Sequence, residues 1–215
     1  MKTHLHPHRT NPLLRLSYSL LAPVYDLAIS VPMRAARTRS LQSLPDDHAG
    51  EVLLSGIGTG LDLPLLPKLH RYVALDFNNA MLSRAKPRGD KLRNEGLRVE
   101  WVLGDSMALP FADESFDHVV LHLIVAVVPH PELCLSEVAR VLKPGGTIIL
   151  FDKFLQPKKF APVRRALSVL SSRIATRTDV VFEEVLSVAP QLEVVSNVPL
   201  LAGGWFRGIV LRKHA

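Results

Sequence analysis

Short apolar runs separated by polar, charged or glycine-rich stretches recur along this chain, and their lengths predict strands alternating with helices. Val52 to Leu54 is an aliphatic run that enters three glycines at alternate positions, Gly56, Gly58 and Gly60, and then a helix start. Arg71 to Leu75 and Val99 to Leu103 predict the next two strands, ending in Asp76 and in Gly104-Asp105-Ser106. Asp117 to Leu123, with the apolar run Val119-Val120-Leu121 at its centre, reads as a buried fourth strand. Thr147 to Phe151 predicts a fifth strand, and Leu192 to Val195 and Trp205 to Leu211 the last two, with Gly203-Gly204 in their connection. Helices are predicted over Asn78 to Lys86, with a charged continuation to Gly96, and over Glu132 to Leu142, closed by Lys143-Pro144-Gly145-Gly146. Such alternation predicts an α/β fold, a doubly wound and mostly parallel seven-stranded sheet.

The flanking stretches add to this plan. Residues 1–12, with His4, His6 and His8 alternating around Pro7, read as a solvated tail rather than a metal site. A single domain is expected over 13–215, opening with a helical part over 13–44. There Leu13 to Ala22 has amphipathic spacing, Pro23 interrupts it, a second piece runs from Tyr25 to Ile29, and Met33 to Leu44 forms a basic helix with Arg34, Arg37 and Arg39. The stretch from Lys153 to Arg177 carries seven basic residues and no acid, and Val163, Leu167, Leu170 and Ile174 fall on one helical face. A basic amphipathic helix suits an anionic membrane surface. A surface helix packing its apolar stripe on the sheet accounts for the same pattern.

The chemistry gathers at the strand ends. Glycines two apart, in place of the G-x-G-x-x-G spacing of dinucleotide folds, form a floor under a nucleoside rather than a cradle for pyrophosphate. Taken alone, they also fit an ordinary strand-to-helix turn. Asp76 stands where an open α/β sheet places an acid for vicinal ribose hydroxyls, and Asp105 where a carboxylate can accept from an adenine amino group. Thr59 and Asp62 have capping-box spacing, which explains Asp62 as a helix-start residue. His122 falls near the end of the fourth strand, where ligand sites gather, although a satisfied core histidine is an equally ordinary reading. His118 is expected to lie beside that strand as a packed or partly exposed imidazole.

Composition narrows the setting. A net charge of +6 makes an anionic partner plausible, and the charged stretch ending at Gly96 reads as a solvated face rather than a nucleic-acid patch. The lone Cys134, among apolar helical positions, excludes an internal disulfide, reads as an inert buried thiol and suits a reducing cytoplasm. No apolar run is long enough to span a bilayer, and the first ten residues lack the apolar core of a secretory signal. A cytoplasmic protein, peripheral on the inner membrane face where the basic segment engages it, is the expectation.

SGIGTGLDLP, ALDFNNAMLSRAK, GDSMALPFADESFDHVV and EVARVLKPGGTIIL together resemble the motifs of the class I S-adenosylmethionine-dependent methyltransferases, over roughly residues 15–215. APVYDLAIS, the GTGLDLP turn and VAVVPHPE narrow the resemblance to small bacterial phosphatidylethanolamine N-methyltransferases and, further off, to ubiquinone and menaquinone C-methyltransferases. The resemblance implies a Rossmann-like sheet with a reversed last strand, and an N-terminal part that closes over the site with Tyr18 and Tyr25 as candidates. It implies S-adenosyl-L-methionine as cofactor, bound by Ser55, Gly56, Ile57, Gly58 and Gly60, by Asp76 and Phe77, and by Asp105 and Ser106. Methyl transfer needs no covalent enzyme intermediate. An ammonium acceptor must lose a proton, for which His122, Tyr25 or a water is available. The acceptor implied is a small molecule or lipid, a phospholipid amine before a quinone ring. One position departs: the family carries an acid two residues before the first glycine, helping to hold the cofactor's ammonium, and this chain has Leu54. A non-catalytic nucleoside-binding relative is therefore the other reading.

Overall fold

The computed structural model describes residues 33–155 and 180–215. Tyr18, Tyr25, the histidine tail, the first two predicted helices and the stretch from Lys158 to Arg177 lie outside the described residues.

A first helix, α1, covers residues 33–41. Strands β1 (Glu51–Ser55), β2 (Arg71–Asp76) and β3 (Arg98–Leu103) follow, with α2 (Asn79–Arg93) between the last two. Then come β4 (Phe116–His122), α3 (Pro131–Val141), β5 (Leu142–Lys153), the short α4 (Phe182–Leu186), β6 (Leu192–Leu201) and β7 (Phe206–Lys213). The strands form one sheet in the order β3-β2-β1-β4-β5-β7-β6. All pairs through β5 are parallel, whereas β7 runs antiparallel to both β5 and β6.

Strand alternation divides the core between the two faces. Leu53 buries with Val119, Leu121, Ile148 and Leu150 against Cys134, Leu135 and Val138 of α3 and Phe182 and Val185 of α4. Val52 and Leu54 point the other way, burying with Tyr72, Ala74 and Ile149 against Leu41 of α1 and Leu82 of α2. Helices on both faces are what a parallel sheet requires. The same alternation fixes Leu54 as a core residue, only 2% exposed.

Three predicted boundaries change. The helix expected after the glycine turn is a single 3-10 turn, Leu63–Leu65, because Pro64 lies inside it and Pro67 stands two residues past its end. Strand β5 begins at Leu142 rather than Thr147 and runs to Lys153, so the first residue of the basic segment belongs to the sheet. β6 continues to Leu201, well past the predicted end at Val195. Leu155 N donates to Val180 O at 2.8 Å, so the described residues on either side of 156–179 lie side by side.

Candidate functional site

The site forms where β1 and β2 end side by side. The N–H groups of Gly56 and Ile57 both donate to Leu75 O, at 2.9 and 3.0 Å, which folds the glycine turn over the end of β2. Gly56 has φ +74, and a Cβ there would stand 2.7 Å from the Ile124 side chain, so both backbone and space demand glycine. Gly58, also at positive φ, is different. A Cβ there would meet nothing within 4 Å, leaving its backbone open to a ligand.

Asp76 holds the turn from the other side. Its Oδ2 accepts from Gly58 N at 2.8 Å and its Oδ1 from Asn78 N at 2.9 Å. Burial raises its pKa, against the pull of the backbone N–H groups of Asn78, Gly58 and Phe77. Asn78 in turn caps α2, its side chain accepting from Ala80 N at 2.9 Å, which fixes the chain just after the acid.

A cavity opens above these groups, lined by Gly56, Ile57, Gly58, Asp76 and Phe77, five of the nine residues expected to hold a cofactor. Gly60 packs behind the turn, its Cα side closed by Leu63 and Ala85. Ser55 donates its hydroxyl to that of Ser106 at 2.8 Å, tying the end of β1 to the loop after β3. Asp105 turns its Oδ1 to Met107 N at 2.9 Å, shaping its own loop, and does not line this cavity. Leu61, Met81, Leu123, Ile124 and Val127 make an apolar part of the wall. Leu123 sits at φ +59, a conformation strained for a branched side chain, pinned by its N–H to Phe151 O at 2.8 Å.

At one side of the cavity stands a buried polar chain that sequence reasoning separated. Asp62 stands at the N-cap of the 3-10 turn, as its spacing suggests, but makes no side-chain cap hydrogen bond there. Its Oδ1 accepts from Arg37 Nη1 at 2.7 Å and from His122 Nδ1 at 3.1 Å. Burial pushes the Asp62 pKa up, but Arg37 and His122 outweigh it and hold the carboxyl well below the usual range. An ionised carboxylate only accepts, so Nδ1 of His122 carries a proton. Nε2 then faces the Ser40 hydroxyl at 3.0 Å, and Phe151 meets the ring edge to face, centroids 5.6 Å apart. Both nitrogens of His122 are thus engaged. Arg37 was legible only as one of several basic residues on a predicted helix; nothing in the sequence links it to an acid 25 residues on.

Other candidates fall elsewhere. His118 is buried near the start of β4, Nδ1 2.7 Å from Thr147 Oγ1, and lies away from the cavity. Cys134 is fully buried, and burial pushes its thiol up to about 12, an unreactive state. Among the described residues no group of three His, Cys, Asp or Glu side chains is placed to hold a metal ion, and no helix is long and apolar enough to cross a membrane.

Comparison with known proteins agrees with this geometry. A family model described as a methyltransferase domain matches residues 53–150, the span from β1 through most of β5. The chain is 34% identical to a phosphatidylethanolamine N-methyltransferase of Cereibacter sphaeroides, over 85% of this chain and 89% of that protein. It is 33% identical to a demethylmenaquinone methyltransferase of Renibacterium salmoninarum, over 71% of this chain and 66% of that one. Among solved structures, the [4+2]-cyclase SpnF superposes with a TM-score of 0.73 at 17% identity, covering 93% of this chain and 94% of its own. A putative methyltransferase from Bacillus halodurans does so with a TM-score of 0.69 at 20% identity, covering 83% and 99%.

Proposed function

Because the chain belongs to the class I S-adenosylmethionine-dependent methyltransferases, we propose that it N-methylates a phospholipid amine such as phosphatidylethanolamine at a membrane surface. The observation that carries this reading is coverage. Similarity to the phosphatidylethanolamine enzyme runs over nearly nine tenths of that protein, whereas the menaquinone relative and a ubiquinone/menaquinone C-methyltransferase of Roseobacter denitrificans are matched over 66% and 56% of their lengths. Methylation of a quinone ring carbon is the second reading, resting on those two relatives.

The described residues fit the cofactor. Gly58 leaves open space at the cavity floor, Asp76 brings a carboxylate to the cavity wall for a vicinal diol, and Ile57, Phe77, Met81 and Ile124 give an apolar slot for a base. Ser55, joined to Ser106 by their hydroxyls, and Asp105 stand outside the cavity lining and are proposed to support the site from behind. The bound cofactor supplies an electrophilic methyl group on a sulfonium. The protein's task is alignment, and orientation supplies most of the rate in such a displacement. His122, with Nδ1 on Asp62 and Nε2 on Ser40, acts as a positioning residue. The acceptor's proton leaves through Tyr25 or water. The basic residues between Lys153 and Arg177 attract an anionic membrane surface and bring the enzyme to its lipid.

Transfer of labelled methyl groups tests the reading. The protein is given the labelled cofactor with vesicles containing phosphatidylethanolamine and, separately, with a reduced demethylmenaquinone. Label in N-methylated lipid is expected. Label in the quinol alone establishes the second reading, and label in neither overturns both.

A further inference from the structure

We propose that Asp62 binds the α-ammonium of the cofactor's amino-acid end, with Arg37 beside it on the α-carboxylate, so that this pair does the work of the acid missing at Leu54. The inference rests on the cofactor occupying the glycine-floored cavity. Leu54 cannot reach the ligand, because strand alternation turns it into the α1 and α2 side of the core, with Leu41, Leu63 and Leu82. Among the described residues, the carboxylates that line the cavity are Asp76 and Asp62. Asp76 is committed to the end of β2 and to Gly58, the nucleoside side of the site.

Asp62 is left with the right capacity. Both described donors, Arg37 and His122, converge on Oδ1, and no described residue donates to Oδ2. The residue is 5% exposed, lines the cavity and is held ionised by Arg37 and His122, although burial opposes this. An ionised, nine-tenths buried carboxylate with one oxygen that no described residue serves suits a cationic donor from the ligand. Arg37 mirrors it. The guanidinium spends Nη1 on Asp62, leaves Nη2 without a described partner, and lines the same cavity. An adjacent fixed cation and anion complement an α-amino acid, whose ammonium and carboxylate lie on neighbouring atoms with the opposite order of charge. Closing four charges in this way leaves the cluster neutral, whereas a single ammonium or carboxylate would not.

Titration calorimetry on the full chain decides the matter with three probes. S-adenosylhomocysteine carries both groups, its decarboxylated analogue only the amine, and methylthioadenosine neither. Wild type is expected to bind them in descending order of affinity. Asp62→Asn should lose roughly ten- to a hundredfold for the two amine-bearing probes, the range for a hydrogen bond to a charged group, and keep methylthioadenosine within about twofold. Arg37→Met/Asp62→Leu removes both charges together, so no unpaired charge is left buried if the single variant fails to fold. It should bind all three probes with nearly the affinity wild type shows for methylthioadenosine. Equal weakening for all three, or no change for any, overturns the assignment and leaves Asp62 an anchor for α1. Wild type that binds none of the probes overturns the cofactor placement itself.

Discussion

At the scale of the residue, the groups that face a ligand were legible where they end strands and hidden where they meet across the fold. Asp76 ends β2, and its position after an apolar run marked it; the structure hydrogen-bonds it to Gly58 N at the cavity. Asp62 was read only as far as its place at a helix start, while its side-chain partners stand 25 residues before and 60 after it. Leu54 shows the opposite case. A carboxylate restored there was the natural repair from sequence, but the side chain is enclosed by core aliphatics, where a charge finds no partner. Leu54→Asp should therefore destabilise the fold by about 3–5 kcal/mol in urea unfolding, the range for an uncompensated buried charge, with no gain in cofactor affinity. Tighter binding in a stable variant would refute this placement. His122 gives a separate test. If it positions Asp62, His122→Asn lowers kcat/KM evenly across pH and keeps the acid limb of the profile. If it is the base that deprotonates the acceptor, that limb disappears in the variant.

At the scale of the element, apolar runs located every strand but not every strand's ends. The Lys143 to Gly146 stretch illustrates why. Its proline and glycines read as a helix stop, yet they lie inside β5 as an excursion: Leu142 pairs with Phe116 and Thr147 with His118, so four residues oppose the single Asp117. Gly145 takes φ +75, and a Cβ on Gly146 would fall 2.7 Å from Asp117 O and 2.9 Å from Lys143 O. Backbone atoms cannot move aside as a flexible side chain can. Gly146→Ala should cost about 1–3 kcal/mol, the range for overpacking, measured as a lower urea midpoint at unchanged slope. A variant as stable as wild type would mean the excursion adapts freely. The bulge also holds Asp117, whose carboxylate accepts from Glu51 N at 2.9 Å and from Lys143 Nζ at 2.8 Å, so it locks the start of β1 to β4 and β5.

At the scale of the whole molecule, strand number and the places of α2 and α3 followed from the sequence pattern, whereas α4 and the strand order did not. Nothing in an apolar run says that β7 inserts antiparallel between β5 and β6; family resemblance implied only the reversal of the last strand, which the pairing meets. Nor does sequence reveal that two titratable groups are buried at opposite ends of the central strands, which makes stability depend on pH in two opposed ways. His118, near the start of β4, is depressed to about 4 by burial and by neighbouring His70, against the pull of Asp117. The unfolded chain takes up that proton near 6.5, so this contribution is complete above 6.5 and is lost as pH falls toward 4. Asp152, at the end of β5, accepts from Ala126 N at 3.0 Å and Lys153 N at 2.8 Å; burial raises it to about 6 against these donors and the Lys153 charge. The folded state then holds the extra proton, so this contribution is complete below 3.8 and is lost as pH rises through 6. Between pH 6 and 4.5 the two oppose each other, and wild-type stability should change little. Asp152→Asn removes the gain on acidification, so its urea midpoint should fall more steeply than wild type as pH drops from 6 to 4.5. His118→Asn, which keeps a polar group toward Thr147, should fall less steeply or rise. Parallel pH profiles for all three proteins would show that neither group is perturbed by its burial.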